Sequence, residues 1–152
     1  MKVTDPHAKI SVIAAIVVSP EYRNAGLVYE LSNDYANFNG VNISAFLRVL
    51  CEEVKDPITV IWDAIRIHYA EPVKDLLTGR NTLVLDQFPP NASGLNPVDC
   101  VWSYIKYGRL PNYAPFDLRE LRKTLTAELR RLRNHPDLLF SFIKRTGLTL
   151  GG

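Results

Sequence analysis

The feature that most constrains the fold is the run from Ile10 to Val18, which is apolar at every position except Ser11 and rich in β-branched residues. Such a run, ended by a Ser-Pro pair, is typical of a well-buried β-strand. It is about half as long as the roughly 20 apolar residues that a membrane-spanning helix requires. It also lacks the small-residue cleavage site of a secretory signal peptide. We therefore expect a soluble cytoplasmic protein with no membrane partner.

The overall composition predicts a single domain over residues 1–152. The chain is 47% hydrophobic and its net charge is only +2, which disfavours disorder as the main state. A length of 152 residues is ordinary for one domain. Cys51 and Cys100 form no CxxC pair, so we expect reduced thiols in the cytoplasm.

Strand and helix patterns alternate along the rest of the chain. A hairpin partner for the first strand is predicted at Leu27–Leu31, where apolar residues alternate with the wetter positions Val28 and Glu30. Apolar periodicity, caps and proline positions predict the other elements. After a loop at 37–42 we expect a helix that is capped by Ser44 and runs to Val54, and then a strand at Ile58–Asp63 that is apolar on both faces and therefore interior. A helix at 71–77 and a strand at 81–85 follow. The rest of the chain is predicted to form an irregular loop at 88–97, a helix that begins at Asn96-Pro97, and a basic helical tail at 117–146. This order predicts an α/β fold with a mixed sheet flanked by helices.

Charge is distributed unevenly between the two parts of the chain. Residues 1–100 carry 8 Lys and Arg against 12 Asp and Glu, whereas residues 101–152 carry 10 against 4. An acidic first part followed by a basic tail favours a site for cations beside a surface for an anion. The alternative is that the basic residues only form a solvated helix face.

Two carboxylates are distinguished by their positions in the predicted elements. Asp63 ends an apolar strand, where α/β sheets present their ligands, and Asp99 lies in the first turn of a helix 36 positions later. Carboxylates placed in this way can converge on divalent cations, and paired Mg²⁺ or Mn²⁺ ions activate water in phosphodiester cleavage. The alternatives are that Asp63 caps the following turn and that Asp99 only interacts with its helix dipole.

The sequence segments around these carboxylates resemble those of a known protein family. The segments are Ile61-Trp-Asp-Ala-Ile-Arg-Ile-His68, then Phe88-Pro-Pro, then Leu95-Asn-Pro-Val-Asp-Cys-Val-Trp-Ser-Tyr-Ile-Lys106. Together they resemble the bacterial mariner-like DDE transposases, in weaker form from about Ile10 to Phe142. The resemblance implies a ribonuclease-H-like fold in which three acidic residues bind two metal ions, Mg²⁺ or Mn²⁺, to cut and rejoin DNA. By this resemblance Asp63 is the second acid and Asp99 the third, so both are expected to be catalytic and metal-binding.

The sequence also departs from the family pattern. Ala64 replaces the Asn that follows the second acid, and the strand that carries the first acid has no counterpart. Asp5 is the only carboxylate before Ile10, and too few residues surround it for a strand and hairpin. We also expect no counterpart of the family's helix-turn-helix domain. We therefore expect a sheet lacking its first, central strand, and a catalytic-domain fragment that is inactive alone. The alternatives are a non-catalytic module that binds DNA or a transposase partner, and one half of a transposase completed by an upstream reading frame.

Other residues are further candidates for this predicted site, and two of them, His68 and Lys106, match the family's pattern. Asp86 is a candidate for added negative charge at the site, and the alternative is a solvated position in a loop. His68 is a candidate for a residue that lines the site, and the alternative is a role in packing. Lys106 matches the family's Lys and is a candidate phosphate contact, although a plain surface Lys is the alternative. Cations on the tail helix predict contacts with the DNA backbone of transposon ends and target; they are Arg119, Arg122, Lys123, Arg130 and Arg131. The partners expected are DNA, the upstream half of the transposase and a second copy of the chain, all at the nucleoid.

Overall fold

A computed structural model describes most of the chain in eight ranges and one single residue. These are residues 10–19, 21, 24–32, 40–54, 57–62, 71–78, 83–89, 95–109 and 118–147. The chain divides into two compact units, one formed by Met1–Ala36 with Gly94–Gly152 and the other by Asn37–Ser93. Within the described ranges, no helix is both long and apolar enough to cross a membrane.

The first unit begins with an antiparallel hairpin of strands β1 (Val12–Val18) and β2 (Ala25–Leu31). The register pairs Val12 with Leu31 and Val18 with Ala25. Across the turn, the Ser19 amide donates to the Asn24 carbonyl oxygen at 3.0 Å, and the Asn24 amide donates to Ser19 Oγ at 3.2 Å. The predicted hairpin is therefore confirmed, although β1 begins two residues later and β2 two residues earlier than the sequence pattern indicated.

Four helical segments complete the first unit. They are α3 (Pro97–Ser103), a π-helix (Tyr104–Arg109) that continues it, α4 (Leu118–Arg133) and α5 (Pro136–Thr146). The hairpin and these helices share one core, whose buried members are Ala25, Leu27, Val101, Ile105, Leu129, Leu132, Leu139 and Phe142. The buried leucines of the tail, Leu129, Leu132 and Leu139, thus form its core-facing side.

The basic helical tail predicted at 117–146 consists of two helices. Pro136 begins α5, because its ring is compatible with the first turn of a helix and not with the interior of one. The amides of Asn134 and His135 donate to the carbonyl oxygens of Arg131 and Leu132, which closes α4. Helix α5 ends at Gly147, whose φ of 74° lies in the left-handed region that favours glycine.

The second unit contains helix α1 (Gly40–Val54), strand β3 (Ile58–Trp62), helix α2 (Glu71–Thr78) and strand β4 (Leu83–Gln87). Strands β3 and β4 are parallel, with Ile58 opposite Leu83 and Trp62 opposite Gln87. The predicted helix ends at Val54 as expected, and its apolar residues Phe46, Leu47 and Leu50 are all buried.

Two expectations for this unit are wrong. Helix α1 begins at Gly40 rather than at Ser44, so residues 40–42 are helical and not a loop. Ser44 lies inside the helix and is buried, and its Oγ donates to the Pro72 carbonyl oxygen at 3.1 Å instead of capping α1. Strand β3 is not covered on both faces, because Thr59 and Ile61 are exposed. Val84, on the same side of the parallel pair as Ile61, is 54% exposed.

The described strands form two separate pairs, β1 with β2 and β3 with β4. No strand within the described ranges joins one pair to the other by hydrogen bonds. The combination of an antiparallel pair, a parallel pair and packed helices is the mixed α/β content that the sequence predicted.

Candidate active site and nucleic-acid interface

Asp99 stands in the first turn of α3, at the position that the sequence predicted. Asn96 caps this helix: its side-chain oxygen accepts a hydrogen bond from the Val98 amide at 3.1 Å. Pro97 occupies the first helical position, and the Asp99 amide donates to the Asn96 carbonyl oxygen at 3.0 Å. The Asp99 residue is exposed. Its carboxylate is therefore carried on a capped helix start, where the helix dipole favours negative charge.

The opposite side of α3 fixes this helix to the core of the first unit. Val101 is fully buried, and Ile105 in the following π-helix is 3% exposed. The Cys100 thiol donates to the Phe142 carbonyl oxygen at 3.8 Å, and the Tyr104 and Phe142 rings lie 5.8 Å apart. Because α3 is held by α5 in this way, the backbone at Asp99 has a defined position relative to the core.

The second predicted acid, Asp63, lies outside the described residues, as do Asp5, Ala64 and His68. The described part of β3 ends at Trp62, whose carbonyl oxygen accepts a hydrogen bond from the Phe88 amide at 3.0 Å. Asp63 follows directly in the sequence, so the chain leading to it is fixed by the parallel pair. Among the described residues, no three His, Cys, Asp or Glu side chains come close enough to hold a metal ion.

Asp86 lies within β4 rather than in a loop, because that strand continues to Gln87. The residue is exposed, and its Oδ1 accepts a hydrogen bond from the Gln87 amide at 2.9 Å. The alternative of a solvated loop position is therefore replaced by a position on the exposed face of the parallel pair.

Lys106 is exposed on the π-helix, a feature that the sequence analysis did not predict. A π-helical turn contains one more residue than an α-helical turn. Lys106 is therefore displaced around the axis from the place above Asp99 that seven residues of continuous α-helix would give it. Its Nζ lies 5.3 Å from the centre of the Tyr107 ring. Tyr107 is 68% exposed, so the pair is presented to solvent.

Helix α4 separates its leucines from its cations. Leu129 and Leu132 are buried, whereas three of the predicted DNA-binding residues are exposed on the opposite side: Arg119, Lys123 and Arg130. At 100° per residue these three lie within about 40° of one another around the axis, and they span about 16 Å along it. We call them the basic stripe. None of the three forms an ion pair with another residue in the described ranges.

The other two predicted cations of α4 contact the protein itself. The Arg122 guanidinium donates to the Ser32 carbonyl oxygen and, at 3.4 Å, to the Leu31 carbonyl oxygen at the end of β2. Arg131 lies 3.7 Å from Glu128, which neutralises part of its charge. The contacts of Arg122 indicate a structural role, which sequence spacing could not reveal because its partners lie about 90 residues earlier.

Arg133 was not among the predicted site residues, and its guanidinium carbon lies 5.7 Å from the Tyr29 ring centre. This cation–π contact ties the basic helix to the hairpin. The hydrogen bonds of Arg122 to the end of β2 join the same two elements. Trp102 is half-buried and packs against the core, as expected for a structural aromatic residue.

The chain superposes on the catalytic domain of the Mos1 mariner transposase with a TM-score of 0.53 and 14% sequence identity, over 93% of this chain and 83% of that domain. It superposes on the Mos1 mariner transposase in a paired-end complex with Mn with a TM-score of 0.53 and 13% identity, over 95% of this chain. The chain therefore shares the fold of the Mos1 catalytic domain.

The family follows from the sequence match. Residues 9–122 match the model of the DDE superfamily endonuclease family, and the chain belongs to that family. The match contains the positions of Asp63, Asp99 and Lys106 and ends at Arg122, so most of α4 and all of α5 lie beyond it. The chain covers 56% of the Mos1 transposase in the paired-end complex. No curated protein sequence gives a significant match.

Proposed function

We propose that this chain is the catalytic-domain part of a DDE transposase, in which Asp63 and Asp99 contribute metal ligands for the cleavage and joining of DNA strands. The observation that carries the proposal is the exposed carboxylate of Asp99 on a capped and anchored helix, inside the segment that matches the endonuclease family. Such a helix start positions a ligand without further ordering.

The chemistry of these residues suits the metals that the family implies. Carboxylate oxygens are the ligands that Mg²⁺ and Mn²⁺ favour. When bound at such sites, these ions activate water and stabilise the leaving oxygen of a phosphodiester. On the side of the protein, Asn96 and Pro97 fix the helix start, and Asp99 is an exposed residue in its first turn. Two acids do not complete a two-ion site, so we propose that the chain alone does not cleave DNA.

A pair of acidic substitutions tests the metal site directly. Asp99→Asn and Asp63→Asn are each expected to weaken Mn²⁺ binding, measured by calorimetry, by about tenfold or more. Asp137→Asn is the matched control, because Asp137 is also exposed in the first turn of a helix that begins with proline. Equal Mn²⁺ affinity in all three variants and the original chain would refute the assignment.

Cleavage is tested separately with a supercoiled plasmid and Mg²⁺ or Mn²⁺. We expect no nicking above that of Asp63→Ala from the chain alone. Nicking is expected to appear when a polypeptide with the upstream part of a related transposase, including its first acid, is added. Strong nicking by the chain alone that Asp63→Ala abolishes would show that the site is already complete.

We further propose that the DNA backbone binds along the basic stripe, with Lys106 and Arg131 as additional contacts. The stripe is exposed, carries three positive charges and lies opposite the leucine face that packs on the core. Phosphate contacts of this kind are not sequence-specific and weaken as salt concentration rises. DNA as substrate would place the protein in the cytoplasm, at the nucleoid.

The second candidate function is a non-catalytic DNA-binding or transposase-partner module. It is favoured by Ala64, which replaces a hydrogen-bonding residue beside the second acid. The two functions differ in their need for metal. A non-catalytic module would bind duplex DNA equally well with Mg²⁺ and with a chelator, and it would not cleave DNA after addition of the upstream polypeptide. Nicking restored by that polypeptide would exclude this candidate.

A further inference from the structure

The π-helix that follows α3 changes which side chain lies in line with Asp99. In an α-helix each residue turns about 100° around the axis, so Lys106 would lie within about 20° of Asp99. Residues Tyr104–Arg109 are π-helical, and one more residue per turn reduces the rotation to about 80° per residue. The four α-helical steps from Asp99 to Ser103 and the four π-helical steps to Tyr107 then complete about two full turns. Tyr107 therefore takes the place in line with Asp99.

The burial pattern of α3 and the π-helix agrees with this rotation. Val101 and Ile105 lie in line with each other by the same count, and both are buried in the core. On the other side, Asp99 and Tyr107 are exposed. At 68%, Tyr107 is the most exposed large hydrophobic residue of the described ranges. Eight residues of α-helix rise about 12 Å and a π-helix rises less, so Tyr107 lies at most about 12 Å from Asp99 along the axis.

Tyr107 and Lys106 together offer the two groups that bind an unpaired nucleotide. The Lys106 Nζ lies 5.3 Å from the centre of the Tyr107 ring, a distance at which cation–π attraction holds the ammonium beside the ring. An aromatic ring stacks on the face of any base, and an ammonium contacts the phosphate. In a duplex the base faces are covered by neighbouring bases. An exposed ring of this kind therefore binds a base that has left the stack.

We infer that Tyr107 stacks on an unpaired base of the DNA substrate, within about four nucleotides of the phosphate beside Asp99. Lys106 contacts the backbone of the same nucleotide. The inference rests on the proposed function, because Asp99 marks the phosphodiester at which the DNA is cut. The preferred substrate is thus DNA whose strands are already separated next to the point of cleavage. This preference concerns strand separation and not base sequence, because every base has a face on which a ring can stack.

The first test compares two duplexes that carry the same number of phosphates. One has three unpaired nucleotides at a strand end, and in the other the same three nucleotides lack their bases. Both strand ends are examined in turn by fluorescence anisotropy. At one of them we expect the original chain to bind the DNA with bases about 5- to 150-fold more tightly.

Variants at two positions separate stacking from charge in this test. Tyr107→Leu should abolish the difference in affinity between the two DNAs, whereas Tyr107→Phe, which keeps a ring, should retain it. Lys106→Gln should weaken binding to both DNAs and lower the salt slope of each by about 0.7–0.9. Tyr107 is exposed, so its variants should keep the thermal midpoint of the original chain.

The outcomes distinguish this inference from the proposed function. Equal binding of the two DNAs by the original chain at both strand ends would overturn the inference and leave the proposed function intact. A difference in affinity that Tyr107→Leu leaves unchanged would do the same. Failure of the original chain to bind either DNA would overturn both.

The second test measures where the stacked base lies. Iodouracil is placed at each unpaired position in turn, and irradiation joins it to an aromatic ring in contact with it. Mass spectrometry should find the crosslink on Tyr107. Fe²⁺ in place of Mg²⁺ generates radicals that cut DNA near the metal, and these cuts should fall within about four nucleotides of the crosslinked base. A crosslink only to other residues, or cuts farther away, would overturn the inference. Absence of cuts would overturn the placement beside Asp99 together with the proposed metal site.

Discussion

The basic stripe of α4 makes a quantitative prediction for DNA binding. Arg119, Lys123 and Arg130 span about 16 Å, a distance over which B-DNA presents roughly nine phosphate charges. Each of the three cations can therefore meet its own phosphate. Each contact contributes about −0.9 to the slope of the logarithm of the binding constant against the logarithm of salt concentration. The stripe as a whole should contribute about −2.7.

The perturbation is the triple substitution Arg119→Gln, Lys123→Gln and Arg130→Gln. Between 50 and 200 mM salt, a slope of −2.7 corresponds to a roughly 40-fold loss of affinity, and this part of the salt dependence should disappear in the triple variant. Fluorescence anisotropy with a labelled duplex, repeated over a salt series, measures the slope. The fold should not change, because all three residues are exposed on the side opposite the buried leucines.

A control with the same change of net charge separates local contact from general attraction. Arg48, Lys74 and Lys144 are exposed cations on α1, α2 and α5, and we propose their combined change to Gln. This control variant should change the slope by less than the value of about 0.9 that corresponds to one phosphate contact. An equal change of slope in both triple variants would refute the stripe as a binding surface and would leave only the net charge of the protein as the cause.

Three further predictions concern stability and are measured by urea unfolding followed by circular dichroism. Leu129→Ala should lower the free energy of unfolding by about 2–5 kcal/mol, because Leu129 is fully buried where α4 meets the core; a loss below 1 kcal/mol would contradict the packing. Asn96→Ala should cost about 1 kcal/mol through loss of the α3 cap, whereas Asn96→Asp should restore most of it. Arg122→Ala should cost about 1–3 kcal/mol by leaving the carbonyls of Leu31 and Ser32 without their donor. Arg119→Ala serves as its control and should change stability by less than about 0.5 kcal/mol; equal losses for Arg119 and Arg122 would contradict the structural role of Arg122.

Local sequence signals predicted much of the architecture. The β-branched run of β1, the Asn-Pro start of α3 and the leucine spacing of α4 each depend on neighbouring residues, and the structure has each element in the expected place. The position of Asp99 in the first turn of α3 follows from the Asn96 cap and from Pro97, which act within three residues. Features of this kind are accessible to sequence analysis because their causes are local.

The features that the sequence did not predict depend on distant contacts or on small energy differences. Helix α1 begins at Gly40, four residues before the predicted cap, and Ile43 and Phe46 in its first turns are buried. Tertiary packing of this kind supplies most of the stability of a helix and is not visible in local propensity. Ser44 has the residue type of a helix cap, but its hydroxyl bonds to Pro72, 28 residues later. The role of Arg122 depends on β2 in the same way.

The discontinuous make-up of the first unit has a consequence for synthesis on the ribosome. Leu27 of the hairpin shares its core with Leu129 and Leu139, which are translated about 100 residues later. At roughly 5–20 residues per second, the apolar hairpin waits about 5–20 s before its covering helices exist. The unit formed by residues 37–93 is continuous and meets no such delay. The nascent hairpin, rather than the finished protein, is therefore where chaperones are most needed and where slow translation is most hazardous.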